Sequence, residues 1–241
     1  MRNIIAKKLD AARAAVAGAR EGGPSIALAV ALRNLGEIHR NAGDFVEGRV
    51  QYEEAVSLLR GLDEPLRLAH TIRHLSMLHR DAGEAEKGEA CQREAVSLYR
   101  RHSEAPSLDL ANAIRYLAVA VDESGATDEA IELWKEAHDR YAALRGGLKE
   151  GVAEAAAHVA LLLGARGEAE DSGDWLTRAS EAAEASKDRA SIDFVRGVGE
   201  KLSELTSIDG LGGLSPCREA PTAAISGTCR SPGRSGFHRR G

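Results

Sequence analysis

Large and small side chains follow a helical period along this chain, and the same pattern keeps returning. From Ala69 to Ala95 the sequence reads AHTIRHLSMLHRDAGEAEKGEACQREA. Its order of small and large residues recurs around four glycines, Gly43, Gly83, Gly125 and Gly167, at steps of 40, 42 and 42. Eleven residues before each glycine stand Leu32, Ile72, Ile114 and Ala156, and eight before it Leu35, Leu75, Leu117 and Val159. The position seven before is small (Gly36, Ser76, Ala118, Ala160), as are the positions five after (Gly48, Gly88, Ala130, Ser172) and twelve after (Ala55, Ala95, Ala137, Ala179). Nine after the glycine come Tyr52, Gln92, Trp134 and Leu176. Large residues at helical spacing, facing small ones, let two antiparallel helices approach closely and interlock. Each unit is thus read as a helical hairpin with the glycine in its turn.

The spacing predicts helices over 25–41 and 45–60, 65–81 and 85–102, 107–123 and 127–144, and 148–165 and 170–185. Pro24, Pro65 and Pro106, 41 residues apart, fall where a first helix begins. Proline is tolerated there because the first turn has no partner for its missing N–H. Residues 3–20 form an Ala-rich amphipathic helix in register with the second helix of a unit, since Ala14 shifted by 41 falls on Ala55. The chain therefore starts in mid-repeat, which leaves open a capping helix or a sequence that continues upstream.

At the other end, Ile192, Val195, Val198 and Leu202 predict a capping helix over 188–206, although Gly197 and Gly199 weaken it. Residues 207–241 hold seven glycines, three prolines and five serines, too little apolar periodicity to offset the entropy of ordering, so a disordered tail is expected. The organisation expected is a half-repeat or cap over 1–22, four repeats over 23–187, a cap over 188–206 and the tail.

In its order of large, large, small, turn glycine, small, aromatic, small, the chain resembles the tetratricopeptide repeat family, whose usual period is about 34 residues. The longer period here is similar to the roughly 42-residue variant of kinesin light chains. The segment ALRNLGEIHRNAGDFVEGRVQYEEAVSLL, residues 31–59, carries the pattern most fully. The resemblance implies an all-α fold, a right-handed α-solenoid of antiparallel hairpins whose first helices line a concave face. It also implies binding of a protein or peptide rather than catalysis.

Composition narrows the picture further. Hydrophobic residues make up 43 % of the chain but aromatic ones only 4 %, which suits thin helix-on-helix packing. No apolar run reaches membrane-spanning length, and Lys7, Lys8 and Asp10 interrupt any signal-peptide core, so a cytoplasmic protein with no membrane partner is expected. The net charge is -5, and the tail's five arginines against two acids leave the repeats about -8, which argues against a nucleic-acid partner. Three scattered cysteines, Cys91, Cys217 and Cys229, suit neither a disulfide framework nor a zinc site.

Carried onto this sequence, the family's groove positions lie thirteen, ten, nine, six, three and two residues before each turn glycine. They place Arg33, Arg73 and Arg115 at one structural position, with Asn34, His74, Tyr116 and His158 beside them. Arg40 and Arg80 lie nearer the turn, His70 at the far end, and Met77, Val119 and Leu161 offer apolar contact. First helices about 8–10 Å apart would meet every third residue of an extended ligand that advances ~3.3 Å per residue. Arginine favours carboxylate and phosphate, so an acidic or phosphorylated segment is the partner the ladder suits. The competing reading is that the arginines pair with Glu37, Asp81, Asp122 and Glu123 inside the scaffold.

His70 and His74 stand at i, i+4, a spacing that can present two imidazoles to one metal, but no third ligand and no HExxH glutamate accompany them. They are read as solvated groove histidines, with no metal and no cofactor expected. His39 and His79, four before their glycines, occupy a position where the family usually has tyrosine and are read as packing residues. No phosphate loop, nucleophile elbow or cysteine–histidine pairing suggests an enzyme. The sequence points to a non-catalytic interaction module, or alternatively to the ligand-sensing fragment of a larger regulator.

Overall fold

The computed structural model of the protein describes residues 2–102, 104 and 106–209, and the disordered tail expected from 207 on lies mostly outside them. Ten helices and no strands make up the described residues: α1 (Arg2–Glu21), α2 (Ile26–Asn41), α3 (Phe45–Gly61), α4 (Pro65–Asp81), α5 (Ala85–Arg101), α6 (Ser107–Glu123), α7 (Thr127–Ala143), α8 (Lys149–Ala165), α9 (Ala169–Ser186) and α10 (Arg189–Asp209). Each helix packs on the next in sequence, most extensively within α2–α3, α4–α5, α6–α7 and α8–α9. The fold is an α-solenoid of four hairpins, with α1 leaning on the first and α10 closing the last. Each expected boundary is met to within one residue, except that α10 continues through residues 207–209.

The turn glycines do the work the pattern assigned to them. At Gly43, Gly83, Gly125 and Gly167 φ lies between +78° and +83°. In the first unit the Gly43 N–H reaches the Arg40 carbonyl at 3.0 Å and the Asp44 N–H the His39 carbonyl at 2.9 Å. These two bonds are a Schellman closure, which satisfies carbonyls the helix end leaves open and needs a left-handed residue at that point. Beyond the turn, the two small rows meet. A Cβ on Gly36 would stand 3.1 Å from the Gly48 carbonyl and 3.1 Å from the Tyr52 ring, so α2 and α3 cross where neither offers a side chain.

The prolines are less uniform than their spacing. Pro65 lies in the first turn of α4, Pro106 is the N-cap of α6, and Pro24 stands outside α2, which Ser25 caps by accepting from the Leu28 N–H at 3.2 Å. A serine that satisfies a first-turn donor displaces the proline from the helix start.

Tyr52, Trp134, Tyr99 and Tyr141 fill the spaces between hairpins and are fully buried. Gln92, at a bulky position of the second unit, is equally buried because its Nε2 donates to the Ala113 carbonyl at 2.7 Å. The last interface is made of alanines: Ala153, Ala156, Ala157 and Ala160 of α8 receive Val195, Val198 and Leu202 of α10.

Candidate functional site

Neighbouring first helices α2 and α4 touch, so the rows before each turn glycine run along one face of the array. Its cations are mostly matched by acids from the following unit. Arg40 of α2 lies 3.4 Å from Asp81 at the end of α4. Arg80 holds the same position one unit on and acts electrostatically on Glu123, whose carboxyl burial pushes up. In the third unit, Arg115 Nη1 donates to Glu154 Oε1 at 2.7 Å. Burial opposes the Arg115 charge, but that carboxylate and the nearby tyrosines hold its pKa above the ordinary arginine value. Arg40 and Arg115 are thus paired within the scaffold, and Arg80 lies within electrostatic reach of Glu123.

Arg33 and Arg73 are different. Arg33 Nη2 donates to Asn34 Oδ1 at 3.0 Å, and Arg73 Nη2 stands 3.4 Å from His70 Nδ1. Burial lowers the pKa of Arg33 against the opposing influence of Glu37, with Arg73 also lowering it. Arg73 is only 8 % exposed. Tyr116 lies beneath both neighbours, its centroid 4.3 Å from the Arg115 guanidinium carbon and 5.8 Å from that of Arg73.

His74 is not the solvated groove histidine the sequence suggested. Burial, with Arg73 and His70 adding to it, drives His74 down to about 2, so its imidazole is neutral. His158 stacks on Trp134 with ring centroids 4.2 Å apart and is lowered by burial to about 4. Met77, Val119 and Leu161 are half-buried, and Met77 shares a shallow depression with Arg80, Tyr116 and Glu123. No group of three or more histidines, cysteines or acids among the described residues could hold a metal. No helix among them is long and apolar enough to cross a membrane.

Two further sets of contacts escaped the sequence reading. His39 and His79, buried as expected, each place Nδ1 on the acid that follows the turn glycine, Asp44 at 3.0 Å and Glu84 at 2.6 Å. That bond to His79, ahead of Lys87 and Arg49, holds the Glu84 carboxyl at about 2. On the second helices, Arg20 reaches Glu54, Arg60 reaches Glu94, and Arg93 and Arg100 reach Glu129 and Glu136. Their separations of 34 to 36 residues, close to one repeat, were the available signal.

With this architecture described, the class of protein is clear: an α-solenoid of tetratricopeptide type. Residues 68–107 match the family model of the tetratricopeptide repeat. That match covers the second hairpin, and the fold of the whole array is similar to that of solved tetratricopeptide-type solenoids. BtubC (BKLC) from P. vanneervenii is 17 % identical, with a TM-score of 0.66 over 90 % of this chain and 96 % of that one. The nearly identical TPR-like repeats of a kinesin-light-chain-type protein of Podosopora anserina are 15 % identical, with a TM-score of 0.62 over 77 % and 90 %. MamA is 17 % identical, with a TM-score of 0.56 over 74 % and 90 %. At these identities the likeness concerns the fold. No curated protein matches the chain in sequence.

Proposed function

We propose that the protein is a non-catalytic interaction module that holds a segment of a partner protein along the face of its first helices, and that the segment is acidic or phosphorylated. The observation that carries this reading is the contrast between equivalent arginines: Arg115 pairs with the Glu154 carboxylate, whereas the side chains that Arg33 and Arg73 meet at hydrogen-bond distance are Asn34 and His70. Two cations left on a face that otherwise matches its charges favour an anionic ligand. The tetratricopeptide fold supports the coarser statement, since such arrays commonly serve as interaction scaffolds. Arginine at these positions would contribute specificity and association rate more than raw affinity. Tyr116, Met77 and Val119, half-buried along the same face, supply apolar contact.

The test is binding of the full chain to acidic, phosphorylated, neutral and basic peptides, followed by fluorescence anisotropy at low and moderate salt. Preference for anionic peptides, weakened by salt and lost in an Arg33→Ala, Arg73→Ala double variant that keeps its helicity, is the expected result. Equal binding of all four classes, or none, would overturn the reading.

A further inference from the structure

The first hairpin departs from the other three on its second helix. Three residues after the turn glycine the other units carry Glu86, Asp128 and Glu170, and seven after it Ala90, Glu132 and Asp174. The first unit has Val46 and Val50 at these positions, 72 % and 50 % exposed. They begin a stripe of α3 that runs on at helical spacing through Glu53, Ser57 and Arg60, all three exposed. Single exposed valines would mean little, but these two stand one turn apart, where the other units are mostly acidic, and beside a cleft.

The cleft, of about 270 Å³, lies between α3 and α5 over α4. Val56, Ile72, Leu75 and Cys91 form its apolar wall, and Glu53, Arg60 and Glu94 stand at its rim. One short residue accounts for the space. At the next interface the same register joins Val96, Ile114 and Leu117 to Leu133 in one core, and Leu133 is only 7 % exposed. Cys91 holds the Leu133 position, eight after the turn glycine, and its side chain ends before it can fill the same volume. Burial, with Glu94 and Glu53 adding to it, pushes the Cys91 thiol up, so that wall is uncharged. The rim is not. Arg60 pairs with Glu94 at 2.7 Å, as Arg100 pairs with Glu136 one unit on. The ion pairs of α3 among the described residues engage Arg49, Glu54 and Arg60 and leave Glu53 without a cationic partner. At the Glu53 position the next unit has Arg93, held by Glu89 and Glu129.

We propose that the outer stripe of α3, with the cleft between α3 and α5, docks a segment of a partner protein that carries aliphatic side chains next to basic ones. Val46 and Val50 cover part of its apolar surface, one aliphatic side chain fills the space beside Cys91, and Glu53 takes the cation. Apolar burial supplies the affinity, and the unpaired carboxylate selects the charge. This surface is exposed on the second helices, not the first, and calls for a ligand of the opposite charge, so it is independent of the groove reading above.

The experiment uses the full chain with Cys217→Ser and Cys229→Ser, which leaves Cys91 as its one thiol. Two synthetic peptides are the probes, one with leucines at helical spacing and arginines between them, the other with glutamate for each arginine. Alkylation of Cys91 by iodoacetamide should slow saturably, at least ~5-fold, with the arginine peptide and not with the glutamate peptide. Anisotropy of the labelled arginine peptide should show affinity falling at least ~10-fold in a Val46→Glu, Val50→Glu double variant and in Cys91→Leu. Both variants install residues that other units carry at the same positions, and circular dichroism checks that their helicity is kept. Glu53→Gln should narrow the preference for the arginine peptide. Equal protection by the two peptides, or undiminished binding in either variant, would overturn the site. So would Cys91 that is alkylated more slowly than in the double-valine variant before any peptide is added: protection independent of protein concentration would give the surface to another segment of the same chain, and protection that grows with concentration to a second copy.

Discussion

The rings of Trp134 and His158 lie parallel to within 1° at a centroid distance of 4.2 Å, and Phe194 of the last helix approaches the same imidazole at 5.7 Å. Three elements, α7, α8 and α10, therefore meet on one histidine. Burial lowers its pKa from 6.5 to about 4, so the unfolded chain takes up a proton before the folded one does. The stability this neutral histidine permits is fully present above the unfolded pKa of 6.5 and is lost as pH falls toward about 4. A shift of that size corresponds to about 3 kcal/mol. Urea unfolding between pH ~7 and pH ~4.5 should show stability falling, with a shallower fall in His158→Phe, which keeps the aromatic contact and removes the titration. Equal slopes in the two proteins would place the pH dependence elsewhere.

Glycine has opposite meanings at two places in the chain. Gly83 sits at φ +78° in a Schellman turn, so Gly83→Ala forces a Cβ into the left-handed region at a cost of about 1 kcal/mol. Gly18 lies inside α1, where an added Cβ would meet nothing within 4 Å, and Gly18→Ala should stabilise by about 0.5–1 kcal/mol. Thermal melts of the two variants should move in opposite directions. A rise for both would mean that the turn does not depend on its glycine.

The ion pairs of the two faces should differ in worth. Arg93 grips Glu129 with two bonds of 2.6 and 2.8 Å, yet both side chains are 44 % exposed, so a double-mutant cycle should return no more than about 1 kcal/mol, and less in high salt. Arg115 and Glu154 are 16 % and 23 % exposed. Glu154→Gln there strands a largely desolvated guanidinium and should cost about 2 kcal/mol. A Glu154→Gln cost no larger than the Arg93–Glu129 coupling would contradict this ordering.

The contrast between these pairs also explains what could be read in advance. Helix ends were legible because each rests on local chemistry, the glycine at a fixed register and a proline or serine about forty residues apart. The small rows were legible because Gly36 and Gly48 can meet only if their helices cross there. The fate of the arginines was not, because it depends on residues one unit away. Arg33, Arg73 and Arg115 look alike along the chain, and only the comparison of each with the position thirteen before the next turn glycine separates Glu154 from Asn112 and His70. The bonds of His39 and His79 to Asp44 and Glu84 were visible in the same way, at four before and one after the glycine, once that register was applied to polar residues as well as apolar ones.

Because each hairpin touches only its neighbours, damage at one end of such an array should stay local. Leu202 of α10 is 9 % exposed and packs with Val195 and Val198 on the alanines of α8, and Gly164 of α8 leaves room for its side chain. Leu202→Ala removes that contact from an alanine surface that cannot collapse to fill the space, at a cost of about 2–3 kcal/mol. The loss should fall first on α8, α9 and α10. Hydrogen exchange of the variant should show faster exchange in those helices while α2 to α5 keep their protection. If exchange accelerates equally throughout, the array unfolds as one cooperative body, and the last helix stabilises the first hairpin as much as the one it touches.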